Sequence, residues 1–288
     1  MPPEAPYRTR FAPSPTGLLH LGHAYSALVA ARRAKAHGGT FLLRIEDIDQ
    51  PRCRSEYEAA IFEDLRWLGL DWPAPVMRQS DRMETYRAAL VQLAEAGLIY
   101  PCACTRAEIR AALSAPQEGD GRSSGTYPGT CRNRPMRDAG PQDALRLNMD
   151  AALARVPDPG AFIETGPLHG GAHPASPEAL LRDHGDVVLA RRDIGTSYHI
   201  AVVVDDAAQG ITEVVRGVDL FEATALHCLL QKLLGLPRPR YHHHRLIRDA
   251  AGRRLAKRDD ARALQTLRAE GMTPKAIEAL FTAQGCGL

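Results

Sequence analysis

"RFAPSPTGLLHLGH", residues 10–23, is the stretch whose reading decides the fold. "YRTRFA" starts as a short strand, breaks at Pro13 and Pro15, and the chain then turns through Gly17 and Gly22 into helix-forming sequence. His20 and His23 stand three apart at this junction. A strand that breaks at glycine and opens a helix leaves backbone N–H groups pointing into the crevice, where the positive end of the helix dipole favours an anion. Two imidazoles add donors that can reach phosphate oxygens. A pair of capped, partly buried histidines fits the same spacing, so spacing alone leaves both readings open.

Outward from this stretch, "HAYSALVAARRAKAHGG" (23–39) has helical spacing at Tyr25, Leu28 and Val29. Arg32, Arg33 and Lys35 fall in its last turns and Gly38-Gly39 ends it, the usual pattern of a helix C-terminus. "TFLLRIEDID" (40–49) is an apolar run closing on carboxylates, which suits a buried strand. Helices are predicted over 54–69 and 80–97. Strand and helix alternating at this spacing argue for an α/β fold with a parallel sheet. From Ser114 to Pro177 the chain is rich in Gly, Pro and Ser, as in "SAPQEGDGRSSGTYPGTCRNRP", and reads as an insertion or loops. "GDVVLARRD" (185–193), "SYHIAVVVDD" (197–206) and "ITEVVRG" (211–217) are strand-like, and "LFEATALHCLLQKLLG" (220–235) is an amphipathic helix ending at Gly235. "MTPKAIEALF" (272–281) predicts a last helix with Thr273 as N-cap, Pro274 at its first position, and Ile277, Leu280 and Phe281 on one face.

A chain of 288 residues, 44% hydrophobic and 24% charged, can bury a sizeable core. No apolar run approaches the roughly 20 residues of a membrane span, and "MPPEAPYRTR" lacks a signal peptide's apolar stretch, so a cytoplasmic protein without membrane contact is expected. The net charge of +2 excludes little, but ten Arg or Lys against three Asp lie between Arg238 and Arg268, beside His242, His243 and His244. That imbalance points to a polyanionic partner; a solvated helix face is the plainer reading. Six cysteines are too scattered for a secreted disulfide framework. Cys53, Cys228 and Cys286 stand alone, whereas Cys102, Cys104 and Cys131 form a group. Three thiolates suit zinc, which takes four ligands. Spacing leaves the fourth open among Tyr127, His169 and His173.

Four stretches, in order, resemble the class I aminoacyl-tRNA synthetases and, within them, the glutamate branch. "HLGH" after "APSPTG" is similar to the H-I-G-H signature, and "LLRIEDIDQPR" (42–52) to the branch's second strand. "YHIAVVVDDAAQGITEVVRGVDL" (198–220) resembles its substrate-pocket strands, and "RRLAKR" (253–258) stands where the family's mobile K-M-S-K-S loop belongs. In that loop Arg254 replaces the first lysine and Ala256 the serine, while Lys257 is retained. The resemblance implies a Rossmann-like catalytic domain in which His20, His23 and Lys257 stabilise phosphate charge. It places ATP, with its Mg²⁺, against Pro13, Gly22, Arg254 and Lys257. It implies an L-glutamate pocket of Arg10, Phe11, Ala12, Pro13, Ser14, Glu46, Tyr198 and Arg216, with the arginines as carboxylate anchors and Glu46 on the ammonium. An arginine fork matches a carboxylate in two bonds, which lysine does not. Attack of a carboxylate on the α-phosphorus of ATP needs no protein nucleophile, so catalysis is positioning and charge stabilisation.

A short relative of this branch carries C-x-C…Y-x-x-x-C in its insertion, which implies one structural Zn²⁺ on Cys102, Cys104, Tyr127 and Cys131. The expected layout is a first half-domain over 1–100, the insertion over 101–184, a second half-domain over 185–240, and the loop and helical part over 241–288, with no anticodon-binding domain. This short form, with "RGVDL" rather than "RGEDH", resembles the enzymes that place glutamate on queuosine of tRNA(Asp). That likeness implies a monomer with queuosine-bearing tRNA(Asp) as partner. The rival expectations are charging of the 3′ end of tRNA(Glu), another nucleotidyltransferase on the same fold, and a non-enzymatic glutamate- or tRNA-binding module.

Overall fold

Strand β1 (Arg8–Phe11) lies parallel to β2 (Thr40–Ile45), and helix α1 (Leu21–Ala36) makes the crossover between them. These coordinates are a computed structural model that describes residues 6–114, 126–247 and 262–287. The α1 face carrying Tyr25, Leu28 and Val29 is buried against both strands, as its spacing predicts. Helix α2 (Ser55–Trp67) follows, and the short β3 (Met77–Arg78) extends the sheet parallel to β2. A 3₁₀ turn over Gln79–Arg82 then leads into α3 (Met83–Glu95).

The middle of the chain builds a second sheet. Strand β4 (Ile99–Cys102) precedes α4 (Arg106–Ser114), and β5 (Ala144–Leu147) pairs antiparallel with β4. After α5 (Met149–Arg155) come β6 (Ala161–Glu164) and β7 (Gly171–Pro174), an antiparallel pair. The one-turn α6 (Pro177–Ala179) leads to β8 (Val188–Ala190), which returns to the second sheet beside β5. The Gly- and Pro-rich stretch is thus partly regular, because its short apolar runs "ALRL" and "AFIE" each find a neighbouring strand.

Helix α7 (Tyr198–Ala208) corrects the strand expected from "SYHIAVVVDD". Ile200 to Val204 are all buried, and a continuous apolar run surrounded by core has no period that separates strand from helix. Strand β9 (Glu213–Gly217), helix α8 (Ala223–Leu234) and β10 (Arg240–His244) complete the second half. Gly235 stops α8 with φ +67°, a left-handed cap that glycine adopts without a Cβ penalty. β10 runs parallel to β9 on one side and β6 on the other. Because the Thr212 N–H donates to Arg8 O over 3.0 Å, the β1 and β9 edges meet and the two parallel halves adjoin.

Strand β10 takes several residues of the basic stretch out of the surface. His242, His243 and His244 are buried between β9 and β6, and burial lowers the pKa of all three, so they add no surface charge. Arg238 donates to the carbonyls of Pro159, Ala161 and Cys228, which makes it a backbone tie. Helices α9 (Leu264–Ala269) and α10 (Pro274–Ala283) pack back on α1 and α2; Thr273 accepts from the Ala276 N–H as the expected N-cap. Ile277 and Phe281 are buried there, whereas Leu280 faces out. Among the described residues no helix is long and apolar enough to cross a membrane.

Candidate active site and a cysteine cluster

His20 is the N-cap of α1, and the two histidines close a reciprocal capping box. His20 Nδ1 accepts the Gly22 N–H (3.1 Å) and His23 Nδ1 accepts the His20 N–H (3.2 Å). The rings stack with centroids 3.8 Å apart. Each ring spends Nδ1 as an acceptor, so a neutral imidazole carries its proton on Nε2, a donor for phosphate. Capping and phosphate binding, open alternatives in the sequence, are therefore compatible uses of opposite ring edges. A Cβ on Gly22 would lie 3.0 Å from His20 Cε1, so glycine there is what admits the ring. Ala263 bridges to His20 and the Leu264 N–H donates to Leu19 O (2.8 Å). Ile247 is buried in the same core as Leu19 and Leu264. Arg254 and Lys257 lie outside the described residues.

Ser14, Glu46 and Tyr198, expected around the amino acid, line one cavity of about 370 Å³ with Asp49, Arg191 and His199. The Glu46 N–H donates to Pro13 O (2.9 Å) and the Arg54 N–H to Pro15 O (3.0 Å), so the proline loop is tied to the end of β2. Pro13 is buried and Ala12 half-buried; Phe11 turns its ring into the core under α1. Ser197 also lines the cavity, and its buried hydroxyl has no hydrogen-bond partner among the described residues.

Arg10 and Arg216 do not stand in the cavity as open forks. Arg10 donates to Asp206 through Nε (2.9 Å) and Nη2 (3.3 Å), and to Val215 O (3.2 Å). Arg44, fully buried on β2, donates to Asp206 (2.7 Å), Gln209 (3.0 Å) and Glu46 (3.0 Å). Burial opposes the charge on Asp206, but Arg10 and Arg44 outweigh it and hold its carboxyl below the usual range. Burial raises the Glu46 pKa despite both arginines, so its charge gains from a cation arriving in the cavity. Asp205, next along α7, accepts from Gln79 (2.9 Å), Arg82 (2.7 Å) and Tyr86 (2.7 Å). Arg216 touches Tyr198 and is otherwise enclosed by His227, His243, Thr224 and Leu220 O.

Sequence reasoning missed Arg44, Asp206, His227, His243 and Glu164. The signal was present for two of them: an arginine inside an otherwise apolar strand and a "DD" inside an apolar run both demand buried partners.

Cys102, Cys104 and Cys131 converge, their sulfurs within 4.8 Å of one another. The Tyr127 hydroxyl lies 3.3 Å from both Cys102 Sγ and Cys104 Sγ. Burial opposes ionisation of Cys131, yet hydrogen bonds from Tyr127 and the Ala103 N–H bring its thiol down to about 7, whereas burial pushes Cys104 up to about 11. Three sulfurs and a phenol oxygen around one point are a donor set that could hold a soft metal ion. His169 and His173 pack on Phe221 instead.

Residues 6–287 match the family described as tRNA synthetases class I (E and Q), catalytic domain. The chain is 57% identical over 278 residues to the glutamyl-Q tRNA(Asp) synthetase of Rhodobacter capsulatus, covering 95% of this chain and 99% of that one. It is 44% identical to the enzyme of that name from Nocardia farcinica, covering 95% and 83%. Among solved structures, the glutamate-tRNA synthetase of Elizabethkingia anophelis superposes with a TM-score of 0.74 at 28% identity over 96% of this chain, which spans 60% of that one. Methionyl-tRNA synthetase of Mycobacterium tuberculosis, at 12% identity and a TM-score of 0.58, shares the fold. With nearly its whole described length matched, the chain belongs to the class I tRNA synthetases of the glutamate and glutamine type, as their α/β catalytic domain.

Proposed function

We propose that the chain activates L-glutamate with ATP, without tRNA, and transfers the glutamyl group to queuosine at the wobble position of tRNA(Asp), acting as a monomer in the cytoplasm. In the first step a glutamate carboxylate attacks the α-phosphorus and pyrophosphate leaves. In the second a hydroxyl of the queuosine base attacks the acyl carbon and AMP leaves. The observation that carries this reading is the cavity that joins Glu46 to Tyr198 and, through it, to Arg216. Glu46 thus offers that space a carboxylate for the ammonium, and Arg216 reaches it through the Tyr198 hydroxyl.

The capped histidines at the start of α1 supply phosphate donors at a helix N-terminus. Mg²⁺ would accompany ATP, and Lys257 would complete the phosphate contacts. Arg10 serves this pocket by holding Asp206 in place beside Arg44. We assign one Zn²⁺ to Cys102, Cys104, Cys131 and Tyr127, where it ties the end of β4 to residues 127–131 and takes no part in acyl transfer.

The test is labelled glutamate with ATP and either queuosine-containing or queuosine-free tRNA(Asp), with tRNA(Glu) as a third acceptor. Label confined to queuosine-containing tRNA(Asp), stable to removal of the 3′ nucleotide, is expected. Label on the 3′ end of tRNA(Glu) would make the chain a conventional charging enzyme.

A further inference from the structure

Arg216 has five N–H bonds and the protein accepts all of them. Nε donates to His243 Nε2 (3.0 Å), and Nη1 to His227 Nδ1 (3.2 Å) and the Tyr198 hydroxyl (3.4 Å). Nη2 donates to Leu220 O (3.1 Å) and Thr224 Oγ1 (2.8 Å). A guanidinium has no acceptor, so both imidazoles must accept, and each is thereby confined to one tautomer. His227 carries its proton on Nε2, 3.1 Å from His199 Nδ1. His243 carries its proton on Nδ1, 2.5 Å from Glu164 Oε2. The other Glu164 oxygen accepts the backbone N–H groups of His243 (2.9 Å) and Gly166 (2.6 Å).

We propose that His227 and His243 are positioning residues for Arg216, locked as acceptors by His199 and Glu164, so that the guanidinium offers the cavity one edge, its Nη1 beside Tyr198. This rests on the glutamate-activating function proposed above. Three of the five bonds run to fully enclosed groups; His227, His243 and Thr224 are 2%, 1% and 0% exposed. The bond to Tyr198 is the longest, and Tyr198 lines the cavity, so an incoming carboxylate displaces that contact first. The hydroxyl it frees can then donate to the same carboxylate. Burial lowers the pKa of both imidazoles, which keeps them neutral and able to accept. A protonated ring in either place would lose its acceptor and set a second cation against Arg216.

The experiment compares His227→Leu with His227→Gln in glutamate-dependent ATP–pyrophosphate exchange. The Gln amide can accept from Arg216 and donate to His199; the Leu side chain can do neither. Loss of one charge-assisted hydrogen bond predicts a KM for glutamate raised about tenfold or more in His227→Leu, with kcat and the KM for ATP within about threefold. His227→Gln should recover most of that loss. Equal KM values in both variants and the parent, or a matching rise in the KM for ATP, would overturn the proposal. Long-range ¹⁵N spectra of histidine-labelled parent protein, without substrate, should show His227 protonated at Nε2 and His243 at Nδ1; the opposite tautomer in either overturns it too. A parent with no glutamate-dependent exchange but with these tautomers would refute the assigned activity and leave the geometry standing.

Discussion

The ion cage behind the cavity and the cysteine cluster both gather groups that cannot be buried alone, and they resolve the problem in opposite ways. Around Asp206, two arginines, Gln209 and Glu46 satisfy one another, and the charges balance within the chain. At Cys102, Cys104, Cys131 and Tyr127 every group is a metal-type donor with no counter-charge among them. The cage balances its charges as folded, although Arg44 Nε has no hydrogen-bond partner among the described residues. The cluster would gain cohesion from a cation, because neutral thiols are poor partners for one another.

The sharpest way to break the first half of this comparison is Asp206→Ala. It leaves Arg10 and Arg44 buried without their shared acceptor, which should cost about 3–5 kcal/mol of stability in urea titration and abolish exchange. A loss under about 1 kcal/mol would show that the cage is not what holds α7. His23→Ala is next: removing a phosphate donor should slow exchange about 10²-fold, while losing the capping-box acceptor costs only about 1 kcal/mol of stability. For the cluster, metal analysis should give about one zinc per chain and near zero after Cys131→Ser. Exchange by that variant should stay within about threefold, whereas a parent free of metal would remove the contrast. The smallest effect is on pH. His199 and His242 have folded pKa values of about 4, lowered from 6.5 by burial. The unfolded chain therefore binds more protons between these values, so stability is full above about 6.5 and falls toward pH 4. Urea midpoints at pH 7, 6 and 5 should decline in that order, and His242→Asn should flatten part of the decline.

Much of this was legible from local pattern. The strand, proline loop and helix of residues 8–36 announced themselves by spacing, and so did Thr273 and Gly235 as helix ends. The three cysteines were readable as a group because donors of this type are few, whereas spacing left Tyr127 level with His169 and His173 until the family resemblance was added. What stayed hidden depends on distant partners. "HIAVVV" has no period to declare it a helix, and the three histidines of β10 look cationic until β9 and β6 are seen on either side. The cage around Asp206 joins residues nearly 200 positions apart, and no window of sequence shows that Arg10 and Arg44 share one carboxylate.

Helix α7 joins the two ends of this chemistry mechanically. Its 11 residues make a rod of about 16 Å, with Tyr198 and His199 in the cavity wall and Asp205 and Asp206 clamped at its foot. A strut anchored that way cannot creep inward to follow a shorter ligand. The position of the wall is then set by the frame behind it. The salt bridges at the far end of α7 therefore belong, mechanically, to the cavity they do not touch.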